Sequence, residues 1–85
     1  MNISLDYYTL KSDKKMGDGV IIPQGQKLIL IKEEDGLIQF ESREHGSTIF
    51  LWCSSEEVAF SETVVEDWSQ EKINKRNRHI NGEFL

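Results

Sequence analysis

The chain has 85 residues, a net charge of −5 and 38% apolar residues, so it encodes one small domain with a modest core. Its single cysteine excludes an intrachain disulfide, and no stretch has the length or apolarity of a signal peptide or a membrane span. These properties favour a cytoplasmic globular protein over a secreted, membrane-spanning or disordered one.

The charge is distributed unevenly along the chain. Residues 1–71 carry six Lys or Arg against fourteen Asp or Glu, whereas residues 72–85 carry four against one. We therefore predict an acidic body, which repels nucleic-acid phosphates, and a basic tail. The simplest interpretation of the acidic body is solubility.

The first part of the chain has the pattern of short strands separated by turn signals. Apolar and polar residues alternate over residues 3–10, which predicts a half-buried strand, and residues 11–18 are predicted as a polar loop. Residues 20–22 predict a short buried strand that ends at Pro23, because proline has no backbone N–H to donate to a neighbouring strand. Residues 27–32 are predicted as the clearest core strand.

Two hairpins follow. Asp35-Gly36 is a strong hairpin signal, and residues 44–47 close a second hairpin. In the strand after it both faces are apolar, so we expect that strand to be covered on both sides, with Trp52 in the core. A single helical turn at residues 54–57 and a last short strand at residues 58–60 complete the β region.

A helix is predicted from about Val64 to Asn77. Thr63, followed three residues later by Glu66, has the spacing of a capping box. We expect the first two turns of this helix to dock through Trp68, and the remainder to fray or to await a partner.

The order of these elements resembles a small SH3-like barrel. The resemblance is carried by Val20–Leu28, Asp35-Gly36 and Trp52–Val58. It implies a mainly β fold, a five- to six-stranded barrel or roll at residues 1–60, with a C-terminal α-helix and tail at residues 61–85 in the same domain. Because the likeness is to a superfold that hosts peptide, protein, methyl-lysine and RNA binding, it implies no single function.

Catalytic and metal chemistry find little support in the sequence. Cys53 with His45 or His79 is the only conceivable nucleophile and base, no third residue is evident to orient a histidine, and we interpret Cys53 as a core residue. These three residues lack the spacing of a metal site, and the acidic loop at residues 33–35 lacks the alternating ligands of a Ca²⁺ loop. We predict no enzymatic activity, no cofactor and no bound metal.

The candidate binding residues fall into two sets. The set predicted for protein contact is Tyr7, Tyr8, Glu33, Glu34, Asp35, Glu56 and Glu57. The set predicted for phosphate contact, with RNA as the favoured polymer, is Lys72, Lys75, Arg76 and Arg78. The basic set has two other interpretations: it complements the dipole of an ordinary helix C-terminus, or it docks on an acidic protein or a second copy of the chain.

The leading hypothesis is a small acidic module that acts by occupying the surface of a partner protein. An adaptor, an immunity protein, or a phage or bacterial inhibitor would have this size and charge. An acidic surface can compete with nucleic acid for a basic groove on the partner. Two alternatives stay open, namely nucleic-acid binding through the basic helix and a structural subunit that assembles as a homo-oligomer.

Overall fold

The structure is a computed structural model that describes residues 1–44 and 47–80. Within those residues the elements in chain order are β1 Asn2–Leu10, β2 Lys14–Lys15, β3 Ile21–Ile22, β4 Lys27–Glu34, β5 Leu37–Glu44, β6 Ser47–Cys53, a 3-10 turn Ser55–Glu57, β7 Val58–Asp67 and α1 Gln70–Ile80. The predicted mainly β fold with a C-terminal helix is confirmed. The structure adds β2, which lies in the segment predicted as a loop.

Five strands form one antiparallel sheet in the order β6-β5-β4-β1-β7, and β2 and β3 form a separate two-stranded sheet. The first strand lies between β4 and β7, so it joins the two halves of the chain. Over the part of the chain that is described, β6 and β7 each pair with one neighbour, so the sheet does not close into a barrel.

Both predicted hairpins form. Asp35 and Gly36 connect β4 to β5 with φ of 52° and 80°, and positive φ at both central residues is the conformation for which an Asp-Gly turn is suited. The next hairpin joins β5 to β6, whose paired ends are Glu44 and Ser47. Its turn at residues 45–46 lies outside the described residues.

One face of the five-stranded sheet, here called the inner face, carries the larger apolar core. Its buried residues are Leu10, Ile22, Leu28, Ile38, Phe40, Leu51, Cys53 and Val58. Phe40 is fully buried at the centre, and the edge of the Tyr8 ring packs on it with 5.3 Å between ring centroids. Burial raises the pKa of the Cys53 thiol, so Cys53 is a protonated core residue, as predicted.

The opposite face, here called the helix face, carries α1 and a smaller apolar cluster. Leu5, Ile29 and Trp68 are buried there, and Ile73 of α1 packs against them. Trp68 is 4% exposed, and its indole N–H donates a 2.7 Å hydrogen bond to the Glu66 carboxylate. Trp68 therefore anchors α1 to the sheet, as predicted, although it lies just before the helix and not inside it.

The predicted start of the helix is wrong. Residues 64–67 belong to β7, where Val64 lies opposite Leu5 of β1. Thr63, predicted as a helix cap, instead donates a 2.7 Å hydrogen bond from its hydroxyl to Asp6 on the neighbouring strand. The β-branched side chains of this segment favour a strand, and pairing with β1 overrides the local capping signal.

The helix α1 begins at a different cap. The Ser69 hydroxyl accepts a 3.2 Å hydrogen bond from the backbone N–H of Lys72. Ile73 and Ile80 are seven residues apart, so both lie on the side of α1 that faces the sheet. The second half of α1 therefore packs against the sheet. No helix in the described residues is long and apolar enough to cross a membrane.

Candidate functional site: a basic groove between α1 and the sheet

A groove of about 280 Å³ lies between α1 and the β5–β6 side of the helix face. The charged residues that line it are Arg43, Lys72, Lys75, Arg76 and Glu41. The apolar residues that line it are Ile31, Phe50, Trp68 and Ile80. With four cations against one anion, this basic groove concentrates positive charge on one surface of a chain whose net charge is −5.

The groove is assembled from two elements that are distant in sequence. Glu41 and Arg43 are alternate residues of β5, so their side chains leave the strand on the same face. Lys72 and Arg76 are four residues apart on α1 and are neighbours on its surface, with Lys75 beside them. The position of α1 follows from the burial of Trp68, two residues before the helix begins.

The Trp68 ring organises three of the cations. The Lys72 ammonium lies 4.0 Å from the ring centroid, and the guanidinium carbons of Arg43 and Arg76 each lie 5.8 Å from it. Attraction between cations and the electron-rich ring face offsets part of their mutual repulsion. Because Trp68 is almost wholly buried, it holds the cations in place and offers no stacking surface to a ligand.

Glu41 bridges the two arginines. Its Oε1 atom accepts hydrogen bonds from Arg43 at 3.2 Å and from Arg76 at 3.3 Å, and Arg76 also donates to the backbone oxygen of Leu30 at 3.0 Å. The side chains of Glu41 and Arg76 are only 12% and 16% exposed, so water screens this pair weakly. The arrangement fixes both guanidinium groups and shows that they can donate to one carboxylate.

The structure brings three of the four predicted basic candidates into the groove. Lys72 and Lys75 are exposed along its rim, and Arg76 is half-buried in its wall. Arg78 is exposed but does not line the groove. Arg43 was missed by sequence analysis because it lies 29 residues before Lys72, in a strand, with no local basic run to mark it.

The acidic candidates lie on two turns. Glu33, Glu34 and Asp35 are exposed at the end of the β4–β5 hairpin, and Glu56 is exposed on the 3-10 turn. Glu57 has a structural role, because its carboxylate accepts hydrogen bonds from the Lys14 ammonium at 2.9 Å and from the backbone N–H of Ser54 at 2.7 Å.

These contacts change the acidity of Glu57. The hydrogen bond from Lys14, followed by the one from the Ser54 backbone, lowers the pKa of the Glu57 carboxyl below its ordinary value of 4.5. Glu57 therefore ties the 3-10 turn to β2 as a carboxylate. A partner that used Glu57 would have to compete with Lys14 for it.

The aromatic candidates lie on opposite faces, as predicted for neighbours in a strand. Tyr7 is half-buried on the helix face with the Lys27 ammonium 6.0 Å from its ring centroid, and Tyr8 is half-buried on the inner face. Trp52, expected in the core, is 39% exposed, and the Lys32 ammonium lies 5.7 Å from its ring centroid. Trp52 leaves β6 on the helix face, where the buried cluster beneath α1 is the smaller of the two.

The described residues contain no group of three or more His, Cys, Asp or Glu side chains that could hold a metal ion. His45 and the side chain of His79, considered as bases for Cys53, lie outside what the structure describes. The buried position of Cys53 makes its thiol a poor nucleophile.

Comparison of the chain with protein-family models, with curated proteins and with solved structures finds no match to any of them. The function is therefore inferred from the geometry of the groove.

Proposed function

We propose that the protein is a small, non-catalytic, cytoplasmic module for protein–protein interaction, and that its basic groove receives an acidic segment of a partner protein. A cytoplasmic setting suits its single reduced thiol. The observation that carries the proposal is the convergence of Arg43, Lys72, Lys75 and Arg76 on one groove of an otherwise acidic molecule.

The chemistry of the groove supports carboxylates as the recognised groups. Arg43 and Arg76 already donate to the carboxylate of Glu41, so their guanidinium groups are oriented for this ligand before a partner arrives. Such preorganisation lowers the entropic cost of binding. Lys72 and Lys75 add exposed positive charge at the rim, which raises the rate of encounter with an acidic segment.

The net charge of the protein favours a protein over a nucleic acid as the partner. A phosphodiester chain carries one charge per nucleotide and is repelled by the overall charge of −5. A short acidic segment places its charges within the groove alone. Trp68, the aromatic residue at the centre of the cations, is buried and does not provide the stacking surface that single-stranded nucleic acids use.

Nucleic-acid binding is the second candidate function because of one specific observation. Three cations predicted for phosphate contact line the same groove as Phe50, which is 38% exposed, and Trp52 lies two residues further along the same strand face. Cations beside exposed aromatic rings form a surface on which bases can stack. This function predicts a stronger response to an oligonucleotide than to an acidic peptide.

The test is fluorescence anisotropy with two probes of similar charge, a labelled oligoglutamate peptide and a labelled single-stranded oligothymidine. The groove variant carries Lys72→Glu and Lys75→Glu. The control variant carries Lys11→Glu and Lys15→Glu, two exposed lysines outside the groove, and changes the net charge by the same amount. We expect the wild-type chain to bind the peptide, the groove variant to bind it at least about tenfold more weakly, and the control to match the wild type.

Two results would contradict the proposal. Equal loss of peptide binding in both variants would mean that only overall charge matters. Tighter binding of the oligonucleotide than of the peptide, with loss in the groove variant, would transfer the function to nucleic-acid binding.

A further inference from the structure

We infer that a second copy of this chain supplies an acidic segment for the groove. The segment is the tip of the β4–β5 hairpin, formed by Glu33, Glu34 and Asp35, and it enters the basic groove of the next copy so that copies associate head to tail. The inference rests on the proposed function, because it uses the same groove, and it names the partner.

The hairpin tip has the chemistry that the groove requires. Glu33, Glu34 and Asp35 are consecutive, and all three are exposed. Within the described residues, Glu34 is the only one of the three with an ion pair, a 3.4 Å contact with the Lys32 ammonium, and the Glu34 side chain is still 58% exposed. Leu37, 45% exposed just after the turn, places an apolar side chain beside the carboxylates. Ile31 and Ile80 offer apolar surface in the groove for it.

The hairpin tip is also held in one conformation. Asp35 and Gly36 close the turn with two residues of positive φ, and both flanking strands are paired on the sheet. A rigid turn loses little conformational entropy when it binds, so a modest number of charge contacts can give measurable association.

The tip cannot reach Arg43 of its own groove, and Arg76 donates within the chain to Glu41 and to the backbone oxygen of Leu30. Arg43 lies six residues after Leu37 on the same strand, which corresponds to about 20 Å along β5. Because β4 and β5 are paired along this length, the hairpin cannot fold back to bridge that distance. Contact between the tip and Arg43 must therefore be made between two molecules.

The resulting contact joins two different surfaces. A heterologous contact of this kind leaves a free tip on one copy and a free groove on the other, so it continues into a ring or an open chain. Because both surfaces are charged and exposed, the association should weaken as salt shortens the Debye length.

The test is sedimentation velocity on the full chain over a wide range of concentration at low and at high salt. The tip variant carries Glu33→Lys and Glu34→Lys, and the groove variant carries Lys72→Glu and Lys75→Glu. We expect the wild type to associate at low salt and each variant alone to associate at least about tenfold more weakly. An equimolar mixture of the two variants should associate again, because each acidic surface then meets a basic one.

The control variant Lys11→Glu with Lys15→Glu should associate like the wild type. Circular dichroism of each variant checks the fold, and Lys75→Glu alone replaces the double change if the loss of Lys72 from the Trp68 ring loosens α1. A wild type that stays monomeric at low salt and high concentration would overturn the inference. The inference would also be overturned if the tip variant and the groove variant each still associated alone, or if their mixture failed to associate.

The oligoglutamate experiment separates this inference from the proposed function. If the peptide binds the groove but the chain does not self-associate, the groove serves another acidic protein and the second copy is the wrong partner. If neither occurs, both the groove function and the assembly are wrong.

Discussion

The inner face and the helix face of the same five-stranded sheet are closed in different ways. On the inner face, seven buried apolar residues of the five-stranded sheet pack together with Ile22 of β3, and the 3-10 turn lies between Cys53 and Val58 of this cluster. On the helix face, three buried residues anchor α1, and the part nearer β6 carries cations and partly exposed aromatic rings.

Under the proposed function, this difference separates stability from recognition within a chain of 85 residues. In a domain of this size, one face of the sheet can remain partly uncovered only if the other face supplies most of the buried apolar area. The helix face can then carry clustered like charges, because the stability that the inner face supplies offsets their repulsion. Substitutions on the two faces should therefore have different consequences, and the four predictions below test this difference.

The largest expected effect is on the inner face. Phe40→Ala should lower the free energy of unfolding by about 4 kcal/mol, because it removes a fully buried ring from the centre of the core. Phe50→Ala on the neighbouring strand should cost about 1 kcal/mol or less, because that ring is 38% exposed. Urea denaturation of both variants measures the difference, and similar losses would mean that the two faces share the stability equally.

The next effect concerns the attachment of α1. Trp68→Ala should cost about 3 kcal/mol and release α1 from the sheet, because Trp68 is the largest side chain of the smaller cluster. Far-UV circular dichroism and amide exchange in α1 report the release. Trp68→Phe, which keeps an aromatic ring beneath Lys72, is the control and should retain most of the helix signal. Unchanged exchange in α1 after Trp68→Ala would contradict this role.

Glu41→Gln should move stability and binding in opposite directions. Loss of the carboxylate leaves Arg43 and Arg76 without their shared anion, which should destabilise the fold by about 1–2 kcal/mol. The same change makes the groove more positive, so the oligoglutamate peptide should bind more tightly. Glu56→Gln, at an exposed position outside the groove, removes the same charge as a control. Weaker peptide binding in Glu41→Gln would mean that Glu41 acts mainly by orienting Arg43 and Arg76 and not by competing with the peptide for them.

The smallest effect is a pH dependence at the end of the inner face. The pKa of Glu57 is lowered in the folded state, first by Lys14, so its carboxylate stabilises the fold above its ordinary pKa. That contribution disappears as the pH falls through the lower pKa of the folded state. Because Glu57 is partly exposed, Glu57→Gln should cost about 0.5–1 kcal/mol near neutral pH.

Thermal unfolding at a series of pH values measures this contribution. The difference between wild type and Glu57→Gln should shrink as the solution becomes more acidic than the ordinary pKa of 4.5. A difference that persists in strong acid would show that packing, and not the charge of Glu57, ties the 3-10 turn to β2.

Local sequence was sufficient for several elements. Asp35-Gly36 determined the β4–β5 turn because few residues other than glycine and asparagine or aspartate accept positive φ at both positions. Alternation placed Tyr7 and Tyr8 on opposite faces, and the apolar surroundings of Cys53 placed it in the core. The basic run in residues 72–78 identified three cations of the groove.

The tertiary structure decided the rest. Residues 63–66 carry a helix-capping signal, and the pairing of this segment with β1 overrides that signal. Arg43 becomes part of the groove because Trp68 docks α1 across β5, and no spacing along the chain records that contact. Periodicity and turn chemistry are properties of a few adjacent residues, whereas a groove between two elements depends on how their buried surfaces pack.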